Sequence, residues 1–169
     1  MKNTLLILAL GIFALFSCED PVTIVDGCTD PEAENFDPNA TDSDNSCAYA
    51  RDGFIGDFAG VIVCGGIIPE PSAFTMSISE GLSGSNDVII EIKDTPAPFP
   101  IVNGFAVTDS LIIPISTYQL EVLGAVRDVQ ISGTCHYEND MTSLEGSLQI
   151  QTDVSGTIVT DNCLFSASM

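Results

Sequence analysis

Reactive and ligating side chains in this chain are six cysteines, a single histidine and a surplus of carboxylates. The cysteines are Cys18, Cys28, Cys47, Cys64, Cys135 and Cys163. A thiol can pair, carry lipid, hold a metal or attack a substrate, and its surroundings decide which. His136 has no Ser–Asp arrangement beside it, and acyl transfer needs a positioned base with its orienter. A zinc site usually takes several Cys or His ligands, which a single histidine does not provide. Carboxylate pairs such as Glu91 with Glu121 or Glu145 fall on strand faces turned to solvent, a poor setting for glycoside hydrolysis. The chain is therefore expected not to be an enzyme.

Carboxylates crowd the segment between Cys28 and Cys47. Asp, Asn, Ser and Pro dominate it, which is turn chemistry rather than helix or strand. A loop of this length needs a staple, and a Cys28–Cys47 bond across it would stabilise the fold by on the order of 3 kcal/mol. Calcium takes about six to eight oxygens at flexible spacing. Asp37, Asn39, Asp42 and Asp44 can offer several, with the Thr41 carbonyl adding one. The segment lacks the glycine and closing glutamate of an EF-hand loop. Two readings stand: a structural calcium site, or a solvated acidic loop held by one disulfide.

The same segment resembles a short module of exported Bacteroidota proteins. Gly27-Cys28-Thr29-Asp30-Pro31, Ala33, Asn35-Phe36, the run Asp37 to Thr41, Asp44, Ser46-Cys47 and Tyr49 all fit its pattern. That module is likened to the calcium-binding thrombospondin type 3 repeats, which is what implies calcium. Asn45 stands where glycine is usual, and asparagine tolerates the left-handed conformation a turn needs there.

Lys2 precedes an apolar run from Leu5 to Phe16, the pattern of a secretory signal peptide. The run is shorter than the roughly 20 residues that span a bilayer. It ends in Leu15-Phe16-Ser17-Cys18, which resembles the bacterial lipobox. That resemblance implies cleavage before Cys18, acylation of its thiol, and attachment to a membrane. Acidic Glu19-Asp20 after the cysteine looks like a surface-export signal of the Bacteroidota, implying display on the outer membrane.

The formal net charge is −20, from 24 acids against 4 basic residues. Nucleic-acid binding needs clustered Lys and Arg, so it is excluded. Anionic headgroups would repel the chain as well. Cations, neutral sugars and basic protein surfaces remain as counterparts.

The elements that would position any site lie beyond Arg51, where apolar residues recur at every second position, the mark of half-buried strands. Phe58-Gly60-Ile62-Cys64, Phe74-Met76-Ile78 and Val88-Ile90-Ile92 each share a face. So do Ile131-Gly133-Cys135-Tyr137, Leu144-Gly146-Leu148-Ile150 and Cys163-Phe165-Ala167-Met169. Gly81 to Asn86 forms a turn, Asn103-Gly104 is expected to form another, and Pro114 is expected to close the apolar run Leu111 to Ile113. Tyr118, Leu120 and Val122 alternate with polar neighbours, making a strand possible there. Asp94 to Pro100 is too rich in proline for a central strand, and Phe99 in it is expected to be exposed, as either a contact residue or a plug on the barrel end. The fold class is all-β: a small antiparallel barrel or sandwich of about eight strands, preceded by a disulfide-closed acidic loop. The organisation is a leader over 1–17, a lipidated tether over 18–26, the acidic module over 27–50, and the β domain over 51–169.

The β domain resembles small lipocalin-like, or calycin-like, domains of Bacteroidota lipoproteins. The matching residues are Phe54-Ile55-Gly56-Asp57-Phe58, Cys64 ending a first strand, Gly133-Thr134-Cys135 in a central strand, and Cys163 opening the last. The resemblance implies a Cys64–Cys163 bond with Cys135 left free. Spacing alone leaves Cys135–Cys163 open as a competitor. The function implied is non-enzymatic: a lipid-anchored surface protein that binds a protein partner or serves as an accessory to an outer-membrane complex. The alternative is lipocalin-like binding of a small apolar ligand.

Overall fold

A computed structural model describes residues 23–66, 70–95, 98–122, 124–138 and 142–169. The leader and Cys18 lie outside the described residues.

The acidic module contains two short parallel strands, β1 (Asp26–Gly27) and β2 (Asp42–Ser43). Cys28 is bonded to Cys47 across it. Asn45 has φ 61°, a left-handed conformation that asparagine tolerates. A 3-10 turn at Ala50–Gly53 leads into the β domain.

Eight strands follow: β3 (Gly56–Cys64), β4 (Ser72–Glu80), β5 (Asp87–Lys93), β6 (Val102–Val107), β7 (Ser110–Val122), β8 (Ala125–Tyr137), β9 (Ser143–Val154) and β10 (Thr157–Ser168). Each pairs antiparallel with the next, and β10 returns to pair with β3. The sheet is a closed up-and-down barrel rather than a sandwich. Closure removes the sheet edges that a chain with few lysines could not guard by charge. One face of every strand supplies the core, including Phe58, Ile62, Phe74, Ile78, Val88, Ile90, Leu111, Ile131, Leu144 and Leu148. Phe74 and Phe165 meet edge-to-face within it, ring centroids 5.9 Å apart.

Three sequence expectations are corrected. Asn103-Gly104 is not a turn: both lie inside β6, opposite Ile89 and Val88. A side chain at Gly104 would press on the Ile112 carbonyl, 2.9 Å from its Cβ, so this glycine serves close strand approach. Pro114 does not end its strand. β7 runs through it, and the register with β8 shifts between Ile113 and Ser116. Proline has no N–H for the ladder, and a bulge is where a sheet tolerates it. Phe99 is partly buried against the core rather than exposed.

The two ends of the barrel differ. At the end nearest the acidic module, the Phe54 ring stacks on Tyr137 at 5.0 Å, and the Tyr137 hydroxyl donates to the Gly53 carbonyl. The module itself is fastened there. Asp30 accepts from Ser85 Oγ at 3.0 Å, Asn86 Nδ2 donates to the Glu32 carbonyl, and Arg51 reaches Glu80 and the Gly84 carbonyl. At the far end the wall has uneven height. β5–β6 pairing stops at Ile90–Val102 and β3–β10 pairing at Cys64–Cys163. The β7–β8 ladder continues to Val122–Ala125 and the β9–β10 ladder to Thr157–Val154.

Candidate ligand-binding mouth

The projecting wall is built by β7, β8, β9 and β10, and strand alternation decides what it presents inward. On β7 the inward residues above the bulge are Tyr118, Leu120 and Val122, each half-buried. On β8 they are Arg127, half-buried, and Val129, fully buried. β9 adds Ile150 and Thr152, and β10 adds Asp161. Tyr118 pairs across with Val129, and Leu120 with Arg127. The result is an apolar inner surface with a few polar groups set into it, the usual make-up of a small-molecule site. Phe99, on the connection between β5 and β6, packs against the core from the same end.

The polar groups have definite partners. Thr152 Oγ1 donates to the Asp128 carbonyl at 3.0 Å. Both oxygens of buried Asp161 accept the Gly66 amide, at 3.0 and 3.1 Å, so the carboxylate ties β10 to the β3–β4 connection. Arg127 donates from Nε to the Val122 carbonyl and from Nη1 to the Asp153 carbonyl, joining the two projecting hairpins.

Cys64, Asp161 and Cys163 bring ligand atoms within 4.8 Å of one another. Cys64 and Cys163 are joined in a disulfide, so the thiolates that would ligate a metal are not present in this form. Cys135 is a free, buried thiol, and burial pushes its pKa up to about 12. It is neutral in the fold and a poor nucleophile.

The acidic loop distributes its carboxylates among its own amides. Asp37 Oδ1 accepts from the backbone and side-chain nitrogens of Asn39, and Asp44 Oδ1 accepts the Ser46 amide. Hydrogen bonds from Ser46 hold the Asp44 carboxyl below its ordinary pKa. Asp26 and Asp42 are register partners on β1 and β2. Among the described residues, no three acidic side chains of this loop bring their oxygens within 4.8 Å of one another. His136 is exposed on the outer surface, opposite Glu145.

Sequence reasoning missed the mouth as a site. The alternation of Tyr118, Leu120 and Val122 was visible, but that this hairpin rises past its neighbours depends on pairing partners elsewhere in the chain.

No known protein family matches the chain, and no curated protein matches it. Among solved structures, a redesigned beta barrel is similar at a TM-score of 0.42 and 10% identity, over 71% of this chain and 94% of that one.

Proposed function

We propose that this protein is a non-enzymatic binding barrel that takes a small apolar ligand at the far end, against Tyr118, Leu120 and Val122. The observation that carries this reading is the asymmetry of the barrel. One end is stopped by Phe54, Tyr137 and the docked module, while the other raises a wall whose inner side chains are only half-buried. Large side chains fill the interior below, so the ligand sits at the mouth and not deep in the core. The resemblance to lipocalin-like domains agrees with such a role. Titration with the neutral fluorophore N-phenyl-1-naphthylamine tests it. Saturable enhancement is expected, abolished by Leu120→Asp with the barrel still folded by circular dichroism. No enhancement with the folded wild type would overturn it.

A second reading, docking to an outer-membrane protein, has one observation in its favour. Val61, Val63 and Leu164 are exposed by 46, 38 and 67% on the outer face of β3 and β10, with Leu164 directly opposite Val63. Leu164→Glu should then abolish co-purification with a membrane partner and leave fluorophore binding intact.

Two features belong to either reading. Acylation at Cys18 would hold the barrel at the membrane surface, and intact mass of membrane-extracted protein against a Cys18→Ala variant tests it. Calcium bound through Asp37, Asn39, Asp42 and Asp44 would stiffen the module, and a rise in Tm with calcium, lost in Asp42→Asn, tests that.

A further inference from the structure

Fixed positive charge is scarce in this chain, and its placement is informative. Arg51 lies 3.2 Å from Glu80 and 3.7 Å from Asp52. Lys93 lies 2.9 Å from Glu91. Among the described residues, Arg127 is the one Lys or Arg with no carboxylate oxygen within 4.0 Å. In a chain with 24 acids this is not for want of candidates. Asp128 follows it directly but engages Gln119. Asp153 offers Arg127 its carbonyl while its carboxylate accepts the Gly156 amide. The carboxylate of inward-facing Asp161 is turned onto Gly66.

Strand alternation places Arg127 on the inward face it shares with Val129 and Ile131. Its cross-strand neighbour is Leu120, flanked on the same face by Tyr118 and Val122. Arginine has five N–H donors. Backbone carbonyls engage Nε and Nη1 and hold the plane, but a carbonyl carries no compensating charge. A half-buried cation set in an apolar surface and lacking a counter-ion favours an anion arriving with the ligand. A carboxylate suits it best, because the planar guanidinium matches two oxygens at once.

We infer that Arg127 is the head-group residue of the mouth, and that its ligand is an amphipathic monoanion. An aliphatic chain lies along Tyr118, Leu120 and Val122, and a single carboxylate pairs with the Arg127 guanidinium. This rests on the mouth being the binding site. It also runs against the charge of the whole molecule, whose field favours cationic ligands.

That opposition supplies the test. Dodecanoate, dodecanol and dodecyltrimethylammonium share one chain length and differ in head charge. Each is titrated against wild-type protein preloaded with N-phenyl-1-naphthylamine, in about 0.15 M salt to shorten the reach of the general field. Dodecanoate is expected to displace the fluorophore at the lowest concentration. Arg127→Met should weaken dodecanoate by about tenfold or more, the scale of a charge-assisted hydrogen bond, and leave dodecanol within about twofold. Arg127→Lys should recover part of the loss. Tighter binding of dodecyltrimethylammonium than dodecanoate to the wild type would overturn the inference with no variant needed. Equal loss of dodecanoate and dodecanol in Arg127→Met would also overturn it, showing Arg127 to be only a tie between hairpins. Failure of the fluorophore to bind wild type is a different result: it removes the mouth as a site, and the inference with it.

Discussion

Cys64 and Cys163 are directly opposite in register and disulfide-bonded on the last rung of β3–β10, the strand pair that closes the barrel. Above that rung β10 pairs with β9 alone. The bond therefore fixes the seam where the wall begins to rise. It spans 99 residues, whereas Cys28–Cys47 spans 19. In the chain-entropy account a loop of about 100 residues gains roughly 4–5 kcal/mol and a short one about 3. Cys64→Ser/Cys163→Ser should therefore cost more in urea unfolding than Cys28→Ser/Cys47→Ser. The reverse ranking would show that the module, not the seam, limits stability.

Cys135 should be silent to thiol reagents in the fold. Its thiol is buried among core residues and its pKa is pushed up to about 12. Only the thiolate reacts at a useful rate. With Cys18→Ser removing the other thiol, native protein at about pH 8 should give no reaction with Ellman's reagent over minutes, and urea-unfolded, unreduced protein should give one thiol per chain. The linkage sign follows from the same shift. The fold keeps the proton that an exposed thiol loses above pH about 8.5. Cys135 thus removes stability as pH rises past that value, and Cys135→Ala should flatten the fall.

Strands whose alternation is unbroken were legible without a structure: Phe74-Met76-Ile78 and Leu144-Leu148-Ile150 point inward as their spacing says. What was misread shares a cause. Asn103-Gly104 has the chemistry of a hairpin turn, but here the glycine is needed because β7's backbone lies against it. The first half of β10 was missed because Asp161 occupies an inward position, and a carboxylate reads as solvent-facing unless its partner, the Gly66 amide 95 residues away, is known. Arg127 hides its face for the same reason. Local pattern encodes which residues avoid water; it does not encode which polar ones are held inward by distant groups. Nor does it encode that β7 to β10 outreach β3 to β6, because strand height is fixed by pairing.

A side chain at Gly146 should destabilise the barrel. It lies between Cys135 on β8 and Phe165 on β10 in the register. A Cβ there would stand 2.4 Å from the Phe165 ring and 2.6 Å from Cys135 Cβ. Overpacking of this kind costs about 1–3 kcal/mol, so Gly146→Ala should lower the urea midpoint accordingly. In a Phe165→Leu background the added methyl meets less ring, and the further loss should be smaller. Additive losses in that double-mutant cycle would mean that the ring is not what excludes the side chain.

Asp30 ties the acidic module to the barrel, and acid should loosen that tie. Its Oδ1 accepts the Glu32 amide at 2.9 Å, while its Oδ2 accepts the Tyr49 hydroxyl at 2.8 Å and Ser85 Oγ at 3.0 Å. These bonds, the Glu32 amide first, hold the Asp30 carboxyl below its ordinary value of 3.8. The same pairing raises the Tyr49 phenol. A carboxyl depressed in the fold contributes stability that is present above its unfolded pKa and is lost as pH falls through the folded one. Module docking should accordingly hold from neutral pH down to about 4 and weaken below it. The Glu32 amide reports this directly, because it donates to the titrating group. Its NMR shift and exchange protection should change with a midpoint under 3.8. Asp30→Asn keeps an acceptor but cannot titrate, so its Glu32 amide should lose that transition. If the midpoint survives the substitution, another acid of the loop controls docking, and Asp30 is not the hinge pin between module and barrel.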